Sequence, residues 1–105
     1  MNILSPIKSM NAAPLGIAGV YGSYNYSTQG FGRIVVSLYS DVAGSLAVQQ
    51  SNDGTNWDIV TTFAYTGTTV LGYSVEVMAE FYRLVYTNGA GAQATFRLSS
   101  RLRKV

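Results

Sequence analysis

Phe81-Tyr-Arg-Leu-Val-Tyr-Thr-Asn88 reads as a β-strand with two chemically distinct faces. Side chains alternate sides along a strand, so Tyr82, Leu84 and Tyr86 share one face, and Phe81, Arg83 and Val85 share the other. Arginine rarely enters a small, unpaired core, so the tyrosine–leucine face is expected to point inward. The same period recurs on both sides of this stretch. Phe96 and Leu98 oppose Thr95, Arg97 and Ser99. Leu71, Tyr73, Val75 and Val77 oppose Gly72, Ser74 and Glu76. Ile34, Val36 and Leu38 line up inward in an earlier segment.

Working outward, residues 31–101 resolve into six strands: Arg33–Tyr39, Leu46–Ser51, Trp57–Tyr65, Val70–Val77, Phe81–Thr87 and Ala94–Arg101. They are rich in the β-branched and aromatic residues that suit a pleated, half-buried surface. Turn residues separate them at Asp41–Gly44, Asn52–Asn56, Thr66–Thr68 and Asn88–Ala92. No stretch holds a convincing helical period. The reading is all-β: an antiparallel sandwich or jelly-roll-like barrel of about six to eight short strands.

Residues 1–30 differ. They contain both prolines, Gly16, Gly19, Gly22 and Gly30, a single charge at Lys8, and Tyr21, Tyr24 and Tyr26. Helix is disfavoured there. Disorder is equally uncomfortable, because disordered chains are usually charged and poor in aromatics. The expectation is an extended N-terminal arm over 1–30 and a β-sandwich domain over 31–105, with an edge strand near residues 16–22 as the alternative. Thirty extended residues reach roughly 100 Å. Trp57–Tyr65 and Phe81–Thr87 carry apolar residues on both faces. Such strands are usually covered on both, either by the arm or by another subunit.

Composition excludes much chemistry. The 105 residues hold no cysteine and no histidine, which removes disulfides, thiol and imidazole metal sites, cysteine nucleophiles and histidine acid–base catalysis. Charged residues make up 11%, against roughly 25% in ordinary domains. The net charge of +2 is too small for strong capture of nucleic acid. No run is long enough to span a bilayer, and the proline-broken N-terminus makes a poor secretory leader. The start at Met1 without a fused shaft is expected for a free-standing module.

Single motifs favour bland roles. Gln50-Ser-Asn-Asp-Gly-Thr-Asn-Trp57-Asp58 is read as a hairpin, with Asp53-Gly54 supplying positive φ and Trp57 re-entering the core. Asp53, Asn56 and Asp58 are oxygen donors for a calcium reading, but the carboxylate count is too low. Asp41, Asp53, Asp58, Glu76 and Glu80 offer no pair in an apolar cleft for glycosidase chemistry. The sequence therefore assigns no catalytic, cofactor or metal residues, and no small-molecule substrate. Arg97, Arg101, Arg103 and Lys104 form the one charge cluster, read either as a solvated terminus or as a patch docking to an acidic protein surface. Tyrosine suits interfaces, and Tyr39, Tyr65 and the arm tyrosines are the exposed candidates. The partner-binding residues expected are Tyr21, Tyr24, Tyr26, Phe81, Val85, Arg101, Arg103 and Lys104.

The stretch from Ser40 to Asp58, with "Tyr-Arg-Leu-Val-Tyr-Thr-Asn-Gly" at 82–89 and "Thr-Phe-Arg-Leu" at 95–98, resembles small β-sandwich virion proteins of tailed bacteriophages, among them capsid cement (decoration) proteins. The similarity covers about residues 33–99, and Ser-x-Asp-Gly-x-x-Trp also occurs in discoidin-like sugar-binding sandwiches. The resemblance implies a structural protein on the capsid surface of the virion, a homotrimer that binds the major capsid protein and cements neighbouring capsomers. It implies no enzyme activity, no membrane and no nucleic acid. A tail-fibre module binding host glycan is the alternative, and it would present an aromatic shelf near Trp57, Tyr39 or Tyr65.

Overall fold

The computed structural model describes residues 8–11, 13–28 and 30–104, with side chains from residue 13 onward. Strand alternation is obeyed almost throughout. Among the described residues, nine strands run in order: β1 (Lys8–Asn11), β2 (Val20–Gly22), β3 (Tyr26–Ser27), β4 (Arg33–Ser40), β5 (Gly44–Ser51), β6 (Ile59–Tyr65), β7 (Leu71–Glu76), β8 (Phe81–Asn88) and β9 (Phe96–Arg103). All pairings are antiparallel. One sheet has the order β1-β9-β4-β7. The other has β2-β8-β5-β6, with β3 also pairing on β8. The architecture is an all-β sandwich, 38 × 32 × 19 Å, a thickness that two sheets about 10 Å apart and their outer side chains account for.

The core is what the alternation requires. Ile34, Val36 and Leu38 of β4, Val75 of β7, and Phe96, Leu98 and Leu102 of β9 face Leu46 and Val48 of β5, Tyr65 of β6, and Tyr82, Leu84 and Tyr86 of β8. Tyr86 and Phe96 meet across the sheets with ring centroids 4.9 Å apart. Gly44 is required by packing, since a Cβ there would collide with the Tyr86 hydroxyl. Leu71, Tyr73 and Val77 line the margin, half-buried, with Tyr73 stacked on Phe63 at 4.2 Å.

The boundary expected at residue 30 is not a boundary of the sheets. β1 adds to β9 in the first sheet, while β2 and β3 add to β8 in the second. The N-terminal segment thus lines one side of the sandwich and occupies the outer edge of both sheets. This is the edge-strand alternative, in which backbone pairing satisfies donors that an extended arm would leave to water. Among the described residues, the N-terminal segment does not lie across the outer face of β8. Its inward residues Leu15, Tyr21 and Tyr26 pack on the core margin instead.

A polar cluster at one end fastens that segment. Gln93 accepts from the Leu15 amide through Oε1 (2.7 Å), donates its own amide to the Leu15 carbonyl (2.9 Å), and donates Nε2 to Ser40 Oγ (2.9 Å). The Asn88 amide donates to Gly19 O (2.8 Å), and its Nδ2 donates to the carbonyls of Gly16 and Gly91 (2.8 Å each). The Tyr65 hydroxyl donates to Thr69 O (2.5 Å) and accepts from the Ser40 amide (3.0 Å). Tyr65, expected to be exposed, is buried by this network with 2% of its surface accessible.

Candidate functional site

With the interior filled, the outward strand positions and the turns remain as surfaces for function. The Asp53 turn is self-contained. Asp53 Oδ1 accepts from the Thr55 and Asn56 amides and from Ser51 Oγ (2.8 Å each), and Oδ2 accepts from Asn56 Nδ2 (2.7 Å). These donors hold its carboxyl well below the usual carboxylate range, the backbone amides of Asn56 and Thr55 contributing most. A carboxylate so encircled by N–H groups faces donors, which is the opposite of a cation site. Gly54 takes the positive φ (76°) that the turn demands. Asp41 is likewise lowered, chiefly by the amides of Thr95 and Ala94. No group of acidic residues able to hold a metal ion occurs among the described residues.

Trp57 does not re-enter the core. It lies half-buried beside the outer face of the second sheet, with the Arg83 guanidinium 4.3 Å from its ring centroid. Arg83 Nε also donates to Gln49 Oε1 (2.6 Å). The core is already filled by Tyr82 and Leu84, and a guanidinium over an indole face is itself a favourable contact. Tyr39 is treated similarly, with Arg97 at 4.7 Å over its ring. Trp57 and Tyr39 therefore each have one ring face occupied by arginine. With Tyr65 buried, no expected shelf residue offers an open stacking surface on both sides.

The other expected contact residues divide. Tyr21 turns inward opposite Tyr86 and meets Phe96 edge-on at 6.4 Å. Tyr26 sits opposite Tyr82 at 5.5 Å. Neither is a free surface residue, because inward placement on the core margin is where their rings bury most area. Tyr24, between the two strands, is 83% exposed. Phe81 and Val85 lie half-buried on the outer face of β8.

That face is nearly uncharged. The registers align Gly22, Val85, Ala47 and Thr62 in one row, and Val20, Thr87, Ser45 and Ala64 in the next. Small side chains make it flat, and Arg83, Trp57 and Gln49 close it on one side.

The outer face of the first sheet is basic. Register pairs Arg33 with Arg103, Val35 with Arg101, Ser37 with Ser99, and Tyr39 with Arg97 across β4 and β9. Four of the five arginines thus share one sheet face with a single carboxylate, Glu76, paired in register with Arg33. Arg33 is fixed by Ser74, donating Nε to its hydroxyl (2.6 Å) and Nη2 to its carbonyl (3.2 Å). Among the described residues, Arg101, Arg103 and Lys104 make no side-chain hydrogen bond or ion pair. Val35, Ser37, Ser99, Ser100 and Arg101 line a shallow depression of about 330 Å³. Sequence reasoning placed the cluster on β9 but missed Arg33, which the β4–β9 register alone brings to it.

The family model "Uncharacterised protein YqxG N-terminal domain" matches residues 3–103. The chain belongs to the YqxG N-terminal domain family. Among solved structures, the PBSX exported protein XepA is similar with a TM-score of 0.79 at 19% identity. That match covers 94% of this chain and 37% of XepA, so the chain spans little more than a third of that protein's length. PirA is similar with a TM-score of 0.58 at 12% identity, covering 90% of this chain and 92% of PirA. The carbohydrate-binding module CBM6cm-2 of Cellvibrio mixtus lichenase 5A, solved with cellotriose, gives 0.52 at 14% identity, covering 98% and 92% respectively. At such identities the likeness shows the shared sandwich of this YqxG N-terminal domain. No curated protein sequence matches the chain significantly.

Proposed function

We propose that this domain is a non-catalytic structural module of a phage-related particle or exported assembly, attached through the outer faces of its sheets. The finer reading is a cement protein on the outer capsid surface, in which copies, as trimers, bind the major capsid protein and tie neighbouring capsomers. The observation that carries the proposal is the flat, nearly uncharged outer face of the second sheet around Ala47, Val85 and Thr62. Its one cation, Arg83, is already occupied by Trp57 and Gln49. Surfaces depleted of charge at their centre are what protein interfaces favour. Likeness to the PBSX exported protein XepA and the sequence resemblance to phage virion proteins support the same direction.

The glycan-binding alternative is weaker. It requires an open aromatic platform, whereas Trp57 and Tyr39 each stack with an arginine. A catalytic role has no support in a chain that lacks histidine and cysteine.

Quantitative mass spectrometry of purified particles tests the proposal. Copies in fixed, near-stoichiometric ratio to the major capsid protein are expected. A few copies per particle would move the protein to the tail, and its absence from particles and from secreted assemblies would overturn the proposal.

A further inference from the structure

We infer that the basic face formed by β9 and β4 is a docking site for an extended acidic protein segment whose carboxylates fall on alternate residues. The inference deepens the proposed structural role by naming the chemistry of one partner, and it rests on that reading.

Charge and register carry it. Arg97, Arg101 and Arg103 project from the same side of one strand. Strand geometry sets Arg101 and Arg103 about 7 Å apart, and Arg97 about 13 Å from Arg101. A second extended chain has the same period, so carboxylates at alternate positions meet these guanidiniums in step. Arg33 is the register partner of Arg103, so it adds positive charge to the same face although its guanidinium is turned toward Ser74 of β7. Arginine forks suit carboxylates, and partial desolvation at a protein contact strengthens such bonds.

The floor between the arginines favours a peptide over a polyphosphate or nucleic acid. Ser37 and Ser99 face each other across the strands and carry hydroxyls that both donate and accept. A peptide backbone offers both partners, whereas phosphate oxygens only accept. Val35 adds an apolar contact beside Arg101 within the depression. The ring that a nucleic-acid base would need, Tyr39, is stacked with Arg97.

The test is titration calorimetry of the full chain with three probes: a synthetic peptide bearing glutamates on alternate residues, a peptide of equal composition with its glutamates contiguous, and single-stranded DNA. The alternating peptide is expected to bind most tightly and to weaken as salt rises to about 0.15 M. Arg101→Glu together with Arg103→Glu should weaken it at least about tenfold, the scale of one lost charge-assisted contact. Circular dichroism checks that this variant is folded, and Arg101→Gln, which keeps most of the side chain, should lose affinity severalfold. Arg83→Gln on the opposite face should bind like the wild type. Absence of peptide binding, equal binding of the two peptides, tighter binding of DNA, or unchanged binding by the Arg101 variants would overturn the inference. Because copy number in particles is measured separately, a failed titration beside stoichiometric incorporation removes this inference and leaves the structural reading standing.

Discussion

β8 and β9 occupy equivalent places in the two sheets. Each is eight residues long, each pairs with a central strand on one side, and each receives a piece of the N-terminal segment on the other. Their inward positions are alike: Tyr82, Leu84 and Tyr86 on one, Phe96, Leu98 and Leu102 on the other, all buried. Their outward positions are not. β8 presents Phe81, Arg83, Val85 and Thr87, and its arginine is held by Trp57 and Gln49. β9 presents Arg97, Ser99, Arg101 and Arg103, of which only Arg97 has a ring beneath it. Folding constrains the inward set to the same apolar bulk and leaves the outward set free to differ. The outward difference is therefore where function is recorded.

Four experiments break or sharpen this comparison, from the largest effect down. Leu84→Ala and Leu98→Ala remove equivalent inward side chains, and each should cost about 3 kcal/mol in urea denaturation. A gap of more than about 1.5 kcal/mol between them would show that the two inner faces are not equivalent.

Gln93→Ala should cost about 2 kcal/mol by leaving the Leu15 amide without its partner and removing one of the hydrogen bonds of the Ser40 hydroxyl, which keeps those to Val42. Limited proteolysis should then cut near residues 13–19 before the strands. If β4 to β9 are cut at the same rate as that segment, the N-terminal strands are not separately fastened.

Tyr82 of β8 donates to or accepts from Ser100 of β9 (2.9 Å), and burial pushes its phenol up to about 12. The folded form thus holds this proton more tightly than the unfolded chain, whose value is near 10. The associated stability is complete below about pH 10 and is lost as pH rises from 10 towards 12. Tyr86 shifts the same way, chiefly through burial. A urea midpoint that falls over this window in the wild type and falls less in Tyr82→Phe is expected. Identical profiles would assign the alkaline loss elsewhere.

Arg83→Ala should cost about 0.5–1 kcal/mol through the lost contact with Trp57. Arg101→Ala should stay within about 0.5 kcal/mol of the wild type. Equal costs would remove the distinction between a structural arginine on β8 and a spare one on β9.

The strands β4 to β9 were legible because β-branched and aromatic residues fill runs of six to eight residues with turn residues between them, although the stretches of β6 and β8 carry apolar residues on both faces. β2 and β3 span three and two residues, too few for a period to register, so their pairing on β8 could not be read with the same force. Gln93 and Asn88 lie in a stretch rich in glycine, alanine and asparagine, where a buried amide and a solvated turn amide look the same. Trp57 was misread for a physical reason: a large ring after a hairpin suggests core, and the stacking Arg83 lies 26 residues away. The basic residues of β9 were visible as a cluster, whereas their union with Arg33 depends on a register between distant strands.

Rebinding of the Thr62→Glu variant to particles that lack the protein tests the central claim most directly. Thr62 is exposed in the uncharged row beside Ala47, away from the core. The denaturation midpoint should stay within about 0.5 kcal/mol of the wild type while particle binding is lost. Rebinding of the variant to the level of the wild type, or failure of the folded wild type to bind at all, would contradict it.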